Sequence, residues 1–391
     1  MSSNSLGRPI SLPLEGMIVL DFSQFLAGPS CALRLADLGA EVIKIERPDG
    51  GDLCRQLYIS NLSFNGESTL FHSINRNKYS FAADLKNDRD RALVRELIIR
   101  ADVMIQSFRP GVMDRLGFGY ETVRMLNPKL VYATVSGYGP NGPWRDKPGQ
   151  DLLVQALSGV TWLNGDANQG PVPVGLAVAD MLTGAHLTQG ILACLIRAGR
   201  TGQGGLVEVS LLESILDYQF EVFTTYLNDG GQPPQRSQIN NAHAYLAAPY
   251  GIYATSDGYL AIAMTPVPQL GELLGCHELF AYGDPQQWFA ARDTIKAILQ
   301  QHLAQRTTAA WLSVLEPADI WCADVLTWER LCAHEGYRAL QFSQEVIYAN
   351  GTHLQMTRCP IRIDGTILTS SVGAPTIGQD TAAIIRKYQL Q

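Results

Sequence analysis

From Gly16 onward the chain alternates short apolar runs with amphipathic ones, and this alternation limits its possible folds more than any other feature. GMIVLDFS, PSCALRLADLG and EVIKIERP read as strand, helix and strand. YSFAADL, NDRDRALVRELIIRA, DVMIQSF and, after the turn at Asn127-Pro128, LVYATVSGYG continue the same rhythm. Apolar runs of about 4 to 8 residues bounded by turns suit strands buried on both faces, and the longer amphipathic stretches suit the helices that cross between parallel strands. A chain repeating this unit builds an α/β fold with a parallel, Rossmann-like sheet covered by helices on both sides. LVEVS followed by LLESILDYQFEVFTTYL adds a further strand-helix pair.

One core does not accommodate the whole sequence, because its 391 residues exceed the roughly 250 to 300 at which single hydrophobic cores stop growing. Composition shifts at NDGGQPPQRSQINNAHAY, residues 228–245, where Gly, Pro, Asn and Gln replace periodic apolar residues and suggest a linker. Beyond it, PYGIYATSDGYLAIAM reads as a hairpin turning at SDG, and QQWFAARDTIKAILQQHLAQRTTAAWLSVL reads as two helices. The expected organisation is a large Rossmann-like domain over 1–227, a linker and smaller α+β domain over 228–325, and a return to the large domain over 326–391, where RCPIRIDG resembles one more strand.

The formal net charge of -7 and the lack of a dense basic run argue against a nucleic-acid surface. Seven scattered cysteines, at 31, 54, 194, 276, 322, 332 and 359, include no CxxC pair. They suit reduced thiols in a cytoplasmic protein and imply no metal site. MSSNSLGRPISLPLEG lacks the charged and apolar blocks of a secretory signal. The uncharged run from Met181 to Ile196 is shorter than the ~20 residues of a membrane helix, so it reads as a buried helix and no membrane is expected. That helix is expected to start near Asp180 and to end near Arg200, where TGQGG supplies terminal glycines.

Three places could carry chemistry. In FSQFLAGPS, the first strand-to-helix connection, helix N–H groups could bind an anion and Ala27-Gly28 would let a ligand approach the backbone; a tight turn before Pro29 is the plainer reading, and GxGxxG is absent. Arg47 in KIERPDGGD lies at the C-terminal end of the second strand, where open α/β sheets bind ligands, although a solvated charge fits equally. Lys86, Arg109 and Arg115, taken singly, read as surface charges. Asp180 is the one charged residue in PVGLAVADMLTGAH. It could simply cap a helix. Small neighbours at Gly175, Ala177, Ala179, Gly184 and Ala185 also leave space for a poorly hydrated carboxylate, kept ionised by helix N–H groups, to attack an activated acyl carbon. No histidine sits in a GxSxG-type or HExxH setting.

Together LEGMIVLDFSQFLAGP, LADLGAEVIKIERPDGGD, NRNKYSFAADLK, ADVMIQSFRPGVMDRLGFGYE, NPKLVYATVSGYGPNGPW, GQDLLVQALSG, VADMLTGAHLTQGILACLIRAGRTGQG and VEVSLLES make the chain resemble the class III coenzyme A transferases, a family that also contains α-methylacyl-CoA racemases. The resemblance implies that Asp180 is the catalytic nucleophile, forming aspartyl anhydrides and an aspartyl-CoA thioester as CoA passes from an acyl-CoA donor, such as succinyl-CoA, to a small carboxylic or dicarboxylic acid. It implies CoA contacts at Leu26, Ala27, Arg47, Ala83, Lys86, Ser107, Phe108 and Arg115. Ser107 stands where an Asn is common, Leu26 where the formyl-CoA enzyme has a Gln, and that enzyme's glycine-quartet loop is missing. Racemase relatives carry a His where this chain has Gln150; an amide is no general base near neutral pH, which favours transfer over racemisation and leaves Gln150 as a possible substrate contact. A racemase and a non-catalytic acyl-CoA-binding protein are the competing readings. The resemblance further implies an interlocked homodimer, a segment such as 228–245 flexible enough to thread, and no permanently bound cofactor.

Overall fold

The computed structural model describes residues 12–57, 62–348 and 350–391. Most of the stretch read for a secretory signal therefore lies outside the described residues. The chain divides into two compact units, the first comprising Met1–Val154, Ala177–Ile215 and Leu340–Gln391 and the second Gln155–Leu176 and Leu216–Ala339.

The first unit is built on strands β1 (Ile18–Asp21), β2 (Glu41–Glu46), β3 (Ser63–Phe64), β4 (Glu67–Ser68), β5 (Tyr79–Ala82), β6 (Val103–Gln106), β7 (Val131–Ser136) and β8 (Gly205–Ser210). Six of them form one sheet in the order β5-β2-β1-β6-β7-β8, with every pair parallel. Crossing outward from β1 in both directions is the Rossmann-like arrangement that the alternation predicts. Register places Leu20 beside Ile43 on one side and Met104 on the other. These residues join Phe22, Phe81, Val94, Leu97, Phe118, Val123 and Ile384 in a buried cluster.

Local sequence explains the helices around the sheet, which include α1 (Ala27–Asp37), α2 (Thr69–Asn75), α3 (Asp88–Arg100), α4 (Val112–Arg115), α5 (Tyr120–Leu126), α6 (Asp151–Ser158) and α7 (Val178–Thr201). The Asn87 side chain caps α3 by accepting from the Arg89 and Asp90 N–H groups, and Leu93, Val94, Leu97 and Ile98 form its buried stripe. α7 ends at Gly202, whose φ of +72° makes a left-handed cap. It packs along α1. The packing is close because Gly184 has no side chain: a Cβ there would lie 2.2 Å from Ser30 Oγ and 2.8 Å from the Ala27 carbonyl oxygen. α7 runs for 24 residues and is long and apolar enough, by length and composition alone, to cross a membrane, a test that the core helix of a soluble protein passes equally. One expectation changes here. Gly184 serves helix packing, not free volume around Asp180.

The C-terminal segment returns to this unit and covers the outer edge of β5. Asp380 accepts from the Ser80 N–H at 2.9 Å, and Thr381 Oγ1 accepts from the Ala82 N–H at 2.9 Å. Edge donors that would invite another strand are thereby occupied. RCPIRIDG contributes only a two-residue strand, Arg362–Ile363, paired with Thr366–Ile367.

LLESILDYQFEVFTTYL forms two helices, α8 (Leu211–Tyr218) and α9 (Phe220–Asn228). The second unit holds an antiparallel sheet of β9 (Gly251–Ala254), β10 (Tyr259–Ile262) and β11 (Cys322–Asp324). It packs with α10 (Val267–Leu274), α12 (Arg292–Leu303) and α13 (Thr308–Leu315) around Tyr253, Leu260, Ile295, Leu299 and Trp311. A short helix α11 (Gln287–Ala290) precedes α12, so the stretch expected as two helices contains three. The supposed linker is pinned from Gln235 onward. Arg292 donates to the Gln235 and Ala244 carbonyls, Lys296 to Ser237 Oγ and the Asn240 carbonyl, and Arg236 to the carbonyls of Asn164, Gln169 and Gly170. Loop-like composition here does not mean freedom of the chain, because the segment's carbonyls are claimed by Arg292 and Lys296 and its Arg236 is claimed by a neighbouring loop.

Candidate active site

Asp180 occupies the third position of α7, after Ala177 at the N-cap. The cap reading is therefore excluded. Its own N–H, one of the donors that a helix start leaves unpaired, donates to Asp151 Oδ2 at 3.0 Å. Among the described residues, no hydrogen bond reaches the Asp180 carboxyl. Burial, followed by the charge of Asp151, raises its pKa to about 7. The anion is thus less supported than the sequence suggests, and a second carboxylate faces it where helix N–H groups were expected to stabilise it. Such a group is ionised in a large fraction at neutral pH. It is also more basic than an ordinary aspartate and less hydrated, both of which favour attack on an acyl carbon.

One turn along the same helix face lies Gly184, in contact with the Ala27 carbonyl and Ser30 at the start of α1. This directs the Asp180 side of α7 toward the first strand-to-helix turn. The turn is compact because Gly28 backs onto Ser23, with a Cβ there falling 2.3 Å from the Ser23 Cβ. Leu26 packs against a cluster containing Cys54, Phe71 and Tyr348. Gln24 is held by its N–H, which donates to Ser107 Oγ at 3.0 Å. Ser107 therefore shapes the turn, a role that the Asn-to-Ser departure did not reveal.

At the C-terminal ends of β1, β2, β5 and β6 lies a cavity of about 270 Å³, where an open α/β sheet presents ligand-binding loops. Arg47, Ala83, Lys86 and Phe108 all line it, together with Gln24 and Lys44. Arg47 and Lys86 are exposed at its rim, while Ala83 is buried. Such a hollow, with two exposed cations at its rim, suits a phosphorylated nucleotide. Leu26 and Ala27 belong to the adjoining turn, and Ser107, just after β6, is hydrogen-bonded to it. Arg115 is exposed at the end of α4 and is not in the wall. Arg109 lines a neighbouring hollow of about 250 Å³ with Arg145, Glu208 and Glu213.

Gln150 is exposed and caps α6, its Oε1 accepting from the Leu152 N–H at 3.1 Å. Asp151, the next residue, is the partner that sequence reasoning missed: it stands 29 positions from Asp180 and only the fold joins them. Burial pushes the thiols of Cys31 and Cys54 up to about 12, which keeps both protonated and unreactive. A larger cavity of about 650 Å³ lies within the second unit, lined by Trp162, Phe223, Tyr226 and Arg236, and holds none of the site residues expected from the sequence.

The pattern of CoA-transferase family III matches residues 14–381. A succinate–glutarate CoA-transferase of Agrobacterium fabrum is 32% identical over 388 residues, covering 96% of each chain. An acetyl-CoA:oxalate CoA-transferase of Acetobacter aceti is 31% identical over 386 residues, also covering 96% of each. The crystal structure of a CAIB/BAIF family protein from Brucella suis superposes with a TM-score of 0.82 at 30% identity, covering 96% of this chain and 99% of that one. The chain belongs to CoA-transferase family III and is an enzyme that moves coenzyme A between an acyl-CoA and a carboxylic acid.

Proposed function

We propose that this member of CoA-transferase family III takes CoA from a small acyl-CoA, succinyl-CoA foremost, and passes it to a small dicarboxylic acid with Asp180 as the covalent carrier. The observation carrying the proposal is the Asp180 carboxyl itself, raised to about 7 by burial and Asp151 at the start of α7. An Asp180 oxygen attacks the thioester carbon, the C–S bond breaks, and CoA leaves as the thiolate. The thiolate returns to the aspartyl carbonyl, releasing the donor acid and leaving an aspartyl-CoA thioester. The acceptor carboxylate then displaces CoA to form a second anhydride. Attack of the thiolate on the acceptor's acyl carbon finally frees the new thioester and restores Asp180.

The cavity bearing Arg47, Ala83, Lys86 and Phe108 would take the nucleotide end of CoA. Leu26, Ala27 and Ser107 would border the path toward Asp180, with Arg115 reaching the phosphates from outside. Gln150 has its carbonyl oxygen committed to the α6 cap, so its Nε2 is the atom that would donate to a substrate oxygen. Succinate, glutarate and oxalate in the names of the relatives support dicarboxylates as the substrate class. We further propose an interlocked homodimer in the cytoplasm. α9, in which no residue is buried although Phe220, Phe223 and Leu227 are apolar, supports a partner surface, and the unpaired cysteines support a reducing compartment.

The deciding experiment offers succinyl-CoA and acetyl-CoA against a panel of mono- and dicarboxylic acids and follows product thioesters by mass spectrometry. Transfer to a dicarboxylate is expected. Exchange of the α-proton of a 2-methylacyl-CoA without transfer to any acid would overturn the proposal in favour of a racemase, and binding without either reaction would leave only an acyl-CoA carrier.

A further inference from the structure

Buried charge reaches into the cavity wall: Lys44, Glu46 and Asp52 line it, and Asp21 and Lys78 are joined to them. Asp21, Lys44, Asp52 and Lys78 are all at most 2% exposed. Lys78 donates to Asp21, Asn75 and the Pro29 carbonyl. Burial works against the Lys44 ammonium, but Asp21, Asp52 and Glu46 outweigh it and hold its pKa above the ordinary range.

Asp52 connects this buried charge to the two loops that frame the cavity. Its N–H donates to Glu46 Oε1 at 3.0 Å, and its Oδ1 accepts from the Cys54 N–H at 2.9 Å. The same Oδ1 also accepts from the Phe25 N–H at 3.3 Å, across 27 positions. Oδ2 faces Lys44 Nζ at 2.8 Å, a contact of charge without an aligned hydrogen bond. Lys44 Nζ in turn donates to the Ser23 carbonyl at 2.8 Å. Phe25 has a φ of +64°, a left-handed conformation costly for a residue with a bulky side chain, and its ring is 47% exposed and so brings little packing to offset that cost.

We infer that Asp52, backed by Lys44, is a positioning residue for CoA: it holds Phe25 left-handed and ties the Ser23–Leu26 turn to the Arg47–Asp52 loop. The inference rests on the proposal that this cavity takes CoA. Asp52 lines the cavity but is only 2% exposed, and it acts through Phe25 and the turn, not on the reacting atoms. It sets the shape into which CoA fits before binding, and the cost of ordering the turn is then not taken from binding energy.

The test compares CoA binding by calorimetry and acyl-CoA kinetics for the wild type, Asp52→Asn and Asp52→Ser. Asn keeps an Oδ1 for Phe25 and Cys54 but loses the charge facing Lys44; its KM for acyl-CoA is expected to rise three- to tenfold. Ser still accepts from Cys54 but is too short for Phe25, and a rise above thirtyfold is expected. In both, kcat falls less than threefold, a split that a loss of folded protein would not produce. Equal KM values in wild type and folded Ser variant, or equal losses in Asn and Ser, overturn the inference. If the Ser variant does not fold, Phe25→Gly asks the same question, because glycine takes positive φ freely. The Asp52→Asn rise in KM must then shrink below twofold in the Phe25→Gly background, and an undiminished rise overturns the inference. A wild type that binds no CoA removes the reading of the cavity and the inference with it, whereas a wild type that binds CoA beside indifferent variants removes the inference alone.

Discussion

Replacing Asp151 with Asn changes the charge beside Asp180 while leaving the shape and an acceptor for the Asp180 N–H in place. Asp180 is raised from 3.8 to about 7, with burial the larger cause and Asp151 the second. That rise of roughly three units corresponds to about 4 kcal/mol between the two protonation states, at 1.36 kcal/mol per unit. The share of Asp151 is below half, so at most about 1.5 units, or about 2 kcal/mol. In the wild type, kcat/KM for acyl-CoA should climb with pH through a midpoint near 7, because attack requires the ionised form of the free enzyme. In Asp151→Asn the midpoint should move to lower pH by about 0.5 to 1.5 units. The plateau rate should fall, since a less basic carboxylate is a weaker nucleophile. Rates measured from pH 4.5 to 9 in a buffer series of constant ionic strength read the shift directly. A midpoint that stays in place, or moves upward, refutes the argument that Asp151 repels charge on Asp180.

The same electrostatics makes a stability prediction. A carboxyl whose pKa is raised on folding gives stability that is full below its unfolded value, near 4, and is lost as pH rises through about 7. Asp180→Asn should therefore match the wild type in urea at pH 4 but exceed it at pH 8, by about 1 to 4 kcal/mol given the three-unit rise; equal stability at both pH values would contradict the raised pKa. Gly184→Ala introduces a Cβ 2.2 Å from Ser30 Oγ and 2.8 Å from the Ala27 carbonyl oxygen. It should cost about 1 to 3 kcal/mol and lower Tm by several degrees. Adding Ser30→Ala should recover part of that loss but not all, because the backbone contact remains; an unaltered melting curve for Gly184→Ala would mean that α1 and α7 are not packed at this distance.

The parallel sheet was legible because its strands are largely buried and read as mainly apolar runs such as VMI in β6 and VYA in β7. Asp180 stood out because a lone charge in an apolar stretch is conspicuous. Its partnership with Asp151 was not visible, since contacts between distant segments leave no local periodicity. Lys44, Glu46, Asp52 and Lys78 were hidden for another reason. Charged residues read as solvated unless their partners are known, and here the partners come from four segments brought together at one cavity. The stretch from Gln235 to Ala244 misled for a related reason, because polar composition does not distinguish a free linker from a segment whose carbonyls are claimed by Arg292 and Lys296.

Trapping the intermediate tests the central claim most directly. Wild-type enzyme mixed with succinyl-CoA and quenched with hydroxylamine or borohydride should yield, on digestion and mass spectrometry, a single modified acid at Asp180. Steady transfer of CoA with Asp180 unmodified throughout, or with the Asp180→Asn enzyme turning over as fast as the wild type, would contradict it.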